Sequence, residues 1–253
     1  MAVVAAGPAY WLRGYRRMLA WNLADLRLQV PIIGAVLILQ GVGFVLGIGL
    51  FFAHIPAMAA IYVSAGVPVV NLVTAGLIFE PQVVANQRDT GSYEYLQSMP
   101  VPRSTTALAW YTVTLLISVP AAALSLLTGA VRYHLHYAIT PGIVPAVLLI
   151  SLTGMLLGYA IAHAVSAPMI ARLVSVTMIF VIFGFSPITF PASQLPSWLA
   201  STDEWLPFGP MATILRSTLI SGMTAGVGHA YVVVGAWAVA AALVAAWAVS
   251  HRR

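Results

Sequence analysis

The sequence predicts an all-α, polytopic membrane protein with six transmembrane helices. Three observations carry that reading. First, the 253 residues are 61% hydrophobic and only 7% charged, with a mean hydropathy of +0.96, whereas a soluble domain carries about 25% charged residues. Too little polar surface is left to cover a water-soluble globule. Second, the apolar residues fall into six long uncharged runs. Third, the arginines gather on one side of those runs, as cytoplasmic loops do. The same composition excludes a disordered chain. With no cysteine, it also excludes a disulfide scaffold, thiolate metal sites and cysteine nucleophiles.

Residues 9–28 are expected to form an N-terminal amphipathic helix that lies in the interface. At about 100° per residue, Arg13, Arg16, Arg17 and Arg27 share an arc of roughly 100°. Trp11, Tyr15, Met18, Leu19 and Leu26 face the other way. Aromatic and aliphatic groups would enter the acyl boundary while guanidinium groups meet anionic headgroups of membrane lipids. The six runs follow, at roughly 31–53, 57–79, 105–129, 143–163, 173–190 and 227–250. Each can cross about 30 Å of hydrocarbon at about 1.5 Å per residue, the fifth only marginally. The first run lacks a small-residue cleavage site and is too long for a signal peptide, so it is expected to be retained.

Nine arginines (13, 16, 17, 27, 88, 103, 172, 252 and 253) fall on one side of the runs, and Arg132 and Arg216 on the other. That asymmetry places both termini in the cytoplasm. The net charge of +5 is therefore a topology signal; the arginines are too dispersed for a nucleic-acid surface, and no nucleic-acid partner is expected. Pro68, Pro120, Pro145 and Pro187 lie within or near the runs and are read as tolerated kinks. No internal repeat or linker divides residues 1–253, which form one membrane domain.

The most informative segment is 80–103, EPQVVANQRDTGSYEYLQSMPVPR. It holds Glu80, Arg88, Asp89 and Glu94, a large share of the chain's few charges, in its longest cytoplasmic connection. The stretch from Arg88 to Leu96 has helix-friendly spacing, and Pro100 and Pro102 stop it. A short helix there, with a mixed polar and aromatic face, suits docking into a groove of another protein. The run Arg88-Asp89, Gly91, Glu94, Leu96, Pro100-Val101 and Arg103 resembles the signature between the second and third spans of ABC-2 type transporter permeases. That resemblance implies a coupling helix touching a nucleotide-binding subunit, with Arg88, Asp89 and Glu94 pairing charges there and Gly91 allowing close approach. Gln87 and Thr90 stand where relatives often carry further charge.

Residues 184–216 combine several prolines, two tryptophans, Asp203-Glu204 and Arg216. Pro191 to Trp205 is expected at the outer interface, anchored by Trp198 and Trp205. Residues 207–222 are expected to dip back as a short re-entrant helix packed against other spans. The pattern Phe190-Pro191, Gln194-Leu195-Pro196, Trp198-Leu199, Pro207 and Leu215-Arg216 is similar to the external segment of the same family, here 191–226. Leu206 stands where most relatives have Asn.

The resemblance implies the membrane-spanning permease subunit of an ATP-driven exporter in a bacterial cell membrane. Length and texture look closest to drug-export permeases of the daunorubicin-resistance or fluoroquinolone-export type. A lipid or glycan-precursor exporter is the alternative within the family. The implied partners are an ABC ATP-binding subunit and a second permease chain, identical or related. A phosphate-binding P-loop needs a lysine, and all eleven basic residues are arginine. ATP and Mg would therefore sit on the partner, leaving no cofactor, metal or catalytic residue on this chain. A proton-coupled transporter is the remaining reading. It would need an ionisable group within the membrane, and the sequence places all six acids at or beyond span ends, with His163, near the inner end of the fourth span, as the main candidate. His134-x-His136 lacks an acidic partner and is read as interfacial.

Overall fold

A computed structural model describes residues 7–51, 55–99, 101–165 and 167–251. Among the described residues the chain is helical throughout, with no strand. Helix α1 spans Pro8–Asp25 and α2 spans Gln29–Phe51. Helix α3, Ala57–Thr74, runs through a π-helical turn at Ala75–Phe79 into α4, Glu80–Asp89. Helix α5 is Ser92–Ser98, α6 Arg103–Tyr133, α7 Ile143–Ala164 and α8 Pro168–Phe185. A 3-10 turn at Ala192–Gln194, then α9 (Ser197–Asp203) and α10 (Phe208–Leu219), lead to α11, Val227–His251.

Among the described residues five helices are long and apolar enough to cross a membrane: Gln29–Phe51, Ala57–Asp89, Arg103–Tyr133, Ile143–Ala164 and Val227–Ala248. That layout suits a multi-pass membrane protein. The fifth expected run behaves differently. It forms α8 over Pro168–Phe185 instead of 173–190, and its apolar part, Pro168–Ile182, is short. Prolines set both ends. Pro168 starts the helix at a position where its missing N–H is not needed. Ser186 precedes Pro187 and is extended (φ −100°, ψ 136°), because a residue before proline is pushed out of the helical region.

The long helix Ala57–Asp89 is the centre of the bundle. Most of its apolar span is buried, and α2, α6, α7 and α10 pack around it. Its core contacts are Leu72 and Leu77 against Ile150, Met211, Ile214 and Leu219, all essentially inaccessible. Three glycines permit the closest approach. A Cβ on Gly76 would collide with the backbone of Met155, and one on Gly158 with the carbonyl of Gly76. Gly154 lies against Val73. Gly154 and Gly158 are four apart on α7, the small-residue spacing that lets helix backbones touch.

Buried polar groups tie the helices together. The Asn71 amide donates to the carbonyl of Ala121 at 3.2 Å and to Ser125 Oγ at 3.4 Å, and Gly41 of α2 packs directly on that amide. At one end of α6, Arg132 donates to the Gly49 carbonyl (2.6 Å) and Tyr133 to the Val45 carbonyl (2.7 Å). At its other end, Trp11 Nε1 donates to Ser104 Oγ (3.0 Å) and Tyr15 bonds Thr112 (2.9 Å), so α1 lies along the first turns of α6. On α1, Arg13, Arg16 and Arg17 are exposed, whereas Met18 is buried. Pro68 and Pro120 sit inside unbroken helices.

Candidate functional site

The sequence reading ends the second span at Phe79 and treats 80–103 as a loop. The structure carries the helix ten residues further, to Asp89. Proline at 81 removes one hydrogen-bond donor and crowds the preceding turn; the wider π-helical turn at Ala75–Phe79 stands immediately before it. The helix then breaks inside the stretch Arg88–Leu96 that looked continuous. Thr90 Oγ1 caps it, donating toward the carbonyls of Asn86 (3.1 Å) and Gln87 (3.2 Å). Gly91 adopts φ +75°, the left-handed conformation in which other residues are strained. Among the described residues no atom lies within 4 Å of a Cβ built on Gly91. Within the chain, the glycine serves the turn, and the space beside it is open.

Two charges of this segment are anchored on α8 and the connection that precedes it. Arg88 donates through Nη1 to the carbonyl of Val165 at 2.8 Å, and its guanidinium lies 4.7 Å from the Tyr93 ring centre. Arg172 donates to the Asp89 carboxylate at 2.6 Å, with the two side chains 40% and 50% exposed. Glu94 is exposed on the first turn of α5, where the helix dipole favours an acid. Tyr95, beside it, is 59% exposed and tilts against Trp21 of α1 at 6.1 Å. Pro100 lies outside the described residues, as do Arg252 and Arg253. Gln87 reaches Asp25 at 3.3 Å, a second link between this segment and the N-terminal helix.

Beneath α5 is a cavity of about 170 Å³, lined by Gln87, Tyr93, Leu96, Arg103, Tyr159 and His163 among others. Leu96 and Arg103 from the predicted set are therefore neighbours across one space. Its far wall is an aromatic stack: His163 lies on Tyr159 at 3.9 Å and beside Tyr93 at 5.8 Å. The contact between His163 Nδ1 and the Tyr159 carbonyl (2.9 Å) requires the proton on Nδ1, because a carbonyl can only accept. A larger cavity of about 620 Å³ lies between α1 and α5, with Arg13, Arg17, Trp21 and Tyr95 on its walls.

Glu80 corrects the sequence reading most sharply. It does not stand at a span end exposed to water: it is 2% exposed, and neither carboxylate oxygen has a hydrogen-bond partner among the described residues. Nine residues of helix follow it.

The other predicted set lies between α8 and α11. Pro191, Leu195 and Pro196 frame the 3-10 turn and start α9. Trp198 and Trp205 are 67% and 69% exposed, and Trp237 of α11 donates to the Trp205 carbonyl at 2.8 Å. Helix α10 is almost wholly buried against α3, α7 and α11. Arg216 within it is buried too. It donates to the carbonyls of Ile188 (2.9 Å) and Pro187 (3.4 Å) and lies over the Tyr62 ring at 4.4 Å. Burial lowers its pKa to about 10, against the raising influence of Tyr62 and Asp203. Asp203 is 4% exposed. Burial raises its carboxyl to about 6, although the Ser186 hydroxyl donates to it at 2.7 Å and Arg216 lies in reach. Gly209 leaves the room that carboxylate occupies.

Asp203, Ser186, Arg172, Val165 and the Tyr93–His163–Tyr159 stack are contacts that the linear sequence does not pair. Most of them join residues far apart in the chain or use a backbone carbonyl that carries no side-chain identity; Tyr159 and His163, four apart on α7, are the exception, at a spacing that places side chains on one helix face. No known family model matches the chain, and no curated protein matches it.

Proposed function

We propose that this chain is the membrane-spanning permease subunit of an ATP-driven exporter of the ABC-2 type, moving a drug or other hydrophobic small molecule out across the bacterial cell membrane. The observation that carries the reading is the Arg88–Arg103 segment. It is a short helix at the end of the central helix, tied by Arg88 to the α7–α8 connection and by Asp89 to α8 itself, with Glu94 and Tyr95 facing outward. A push on α5 would reach three helices at once. The resemblance of this segment, and of Pro191–Arg216, to that family supplies the direction and the energy source. With no lysine for a P-loop, ATP and Mg would be held by a partner subunit, and a second permease chain would complete the assembly.

In this reading α8 with the residues after it makes a sixth crossing, and both termini are cytoplasmic. Helix α1 lies in the inner interface with its arginines toward lipid headgroups. Helix α10 re-enters from the outer side, covered by α3, α7 and α11 as buried backbone at that depth requires. Arg88, Asp89 and Glu94 act in coupling: the first two hold α5 in place and Glu94 meets the ATP-binding subunit.

The test is co-expression with an ATP-binding subunit carrying a Walker-A motif, encoded beside this chain, followed by purification and reconstitution. A complex is expected whose ATPase is stimulated by substrate, and Glu94→Arg should uncouple ATP hydrolysis from export while the complex still assembles. Uphill transport by this chain alone, without a second protein, would overturn the reading.

A further inference from the structure

The polar groups along the central helix are satisfied at one level and not at another. Asn71 is held by Ala121 and Ser125. Glu80, nine residues on, is sealed from solvent with both oxygens unpartnered among the described residues. An ionised carboxylate held that way costs several kcal/mol. A bound metal ion would need several oxygen ligands around it, and these two oxygens are closed off from solvent with no other polar group bonded to them among the described residues. A proton is the one cation that fits without moving a neighbour.

Two further features bear on the same spot. The π-helical turn Ala75–Phe79 ends at Glu80, and such turns recur where a helix is adapted for function. Rewinding it to α-helix would turn Glu80 by roughly 100° about the axis. Tyr159, packed at this level, is within electrostatic reach of Glu80, of Tyr93 and of Arg103, and it also lines the cavity beneath α5. Val84, one turn below Glu80, lines the same cavity.

We propose that Glu80 is a proton-binding site in the core of the bundle, loaded from the cavity beneath α5 by way of Tyr159. A proton leaves water in the cavity and ends on a Glu80 carboxylate oxygen; the carboxylate becomes a neutral carboxylic acid, and no other bond changes. The charged and titratable groups on its own helix are Arg88 and Asp89, and those on the elements packed against this stretch are Tyr159 and His163 on α7, Arg172 on α8, Tyr93, Glu94 and Tyr95 on α5, and Arg103, Tyr111, Arg132 and Tyr133 on α6. Asp25 joins them from α1 through Gln87, Tyr62 stands further along α3, and α2 contributes none. The site does not depend on a partner ATPase, so it stands or falls separately from the exporter reading.

Infrared difference spectroscopy on the purified, lipid-reconstituted chain tests it. At about pH 8 Asp203, with its pKa of about 6, is ionised, and Asp203→Asn serves as the background. A carboxylic-acid stretch is expected in wild type, lost in Glu80→Gln, and shifted on transfer to deuterated water. Tyr159→Phe should slow that exchange without removing the band. No band in wild type, a band that survives Glu80→Gln, a band that never exchanges, or exchange at the wild-type rate in Tyr159→Phe would overturn the proposal. If Glu80→Gln fails to fold by circular dichroism, Glu80→Asp replaces it: a shifted band supports the assignment and an unshifted one refutes it.

Discussion

Gly158 of α7 lies directly against the carbonyl oxygen of Gly76, with no room for a methyl group between them. The contact sets the distance between α7 and the central helix at the π-helical turn. Gly158→Ala is therefore expected to destabilise the chain by about 1–3 kcal/mol, the usual cost of overpacking. Gly235→Ala, where a Cβ meets open space, should change stability by less than about 1 kcal/mol. Thermal unfolding in detergent micelles distinguishes the two.

Gly91 makes a different demand, on conformation alone. At φ +75° and with open space where a Cβ would stand among the described residues, Gly91→Ala should cost about 1–2 kcal/mol in the turn, and Gly91→Asn less. Amide exchange in α5 should accelerate accordingly, while exchange in α7 stays unchanged.

The Asp203 carboxyl carries a pH dependence. Its folded pKa, about 6, is raised above the ordinary value of 3.8, so the folded chain holds the proton more tightly than the unfolded one. The stabilisation is fully present below about pH 3.8 and is lost as pH rises through about 6. The α9–α10 region should be harder to unfold at low pH than at neutral pH, by on the order of 2 kcal/mol. Asp203→Asn should flatten this dependence; an unchanged pH profile of local protease susceptibility would contradict it.

The Arg172–Asp89 pair is half-exposed on both sides, so it should add little stability. A double-mutant cycle is expected to give a coupling of about 0.2–1 kcal/mol that shrinks as salt is added. Under the exporter reading, Asp89→Ala should reduce coupled transport well beyond that small loss of stability, because it frees the end of α4, to which α5 is joined, from α8. Parallel measurements of unfolding and transport separate the two effects.

Much of the architecture can be read in the linear chain because hydropathy is local. Five of the six apolar runs correspond to helices of membrane-crossing length, and the sixth is shortened by Ser186-Pro187, a dipeptide whose effect can be stated in advance. Glu80 could not be placed the same way. A carboxylate reads as the end of a span when lipid is assumed to surround it, whereas protein surrounds it here. Leu96 and Arg103 could be selected as a group, but their shared cavity depends on Tyr159 and His163, some sixty residues away by sequence. Arg216 could be placed on a short re-entrant helix, but its partners are two backbone carbonyls and a ring on another helix, none of which a pattern of residue types announces.

The burial of the central helix bears on biosynthesis. Its hydropathy of 1.8 is the lowest among the five spanning candidates, while 89% of that window is covered by protein; the first candidate has 2.3 and only 28% covered. A segment of that kind partitions into lipid less readily than its neighbours when it leaves the insertion machinery. It would stay beside the translocon until α6 and α7 emerge to enclose it. Ribosome-stalled chains ending near residue 100 would then be extractable by alkali, and those long enough to have released α7 would not.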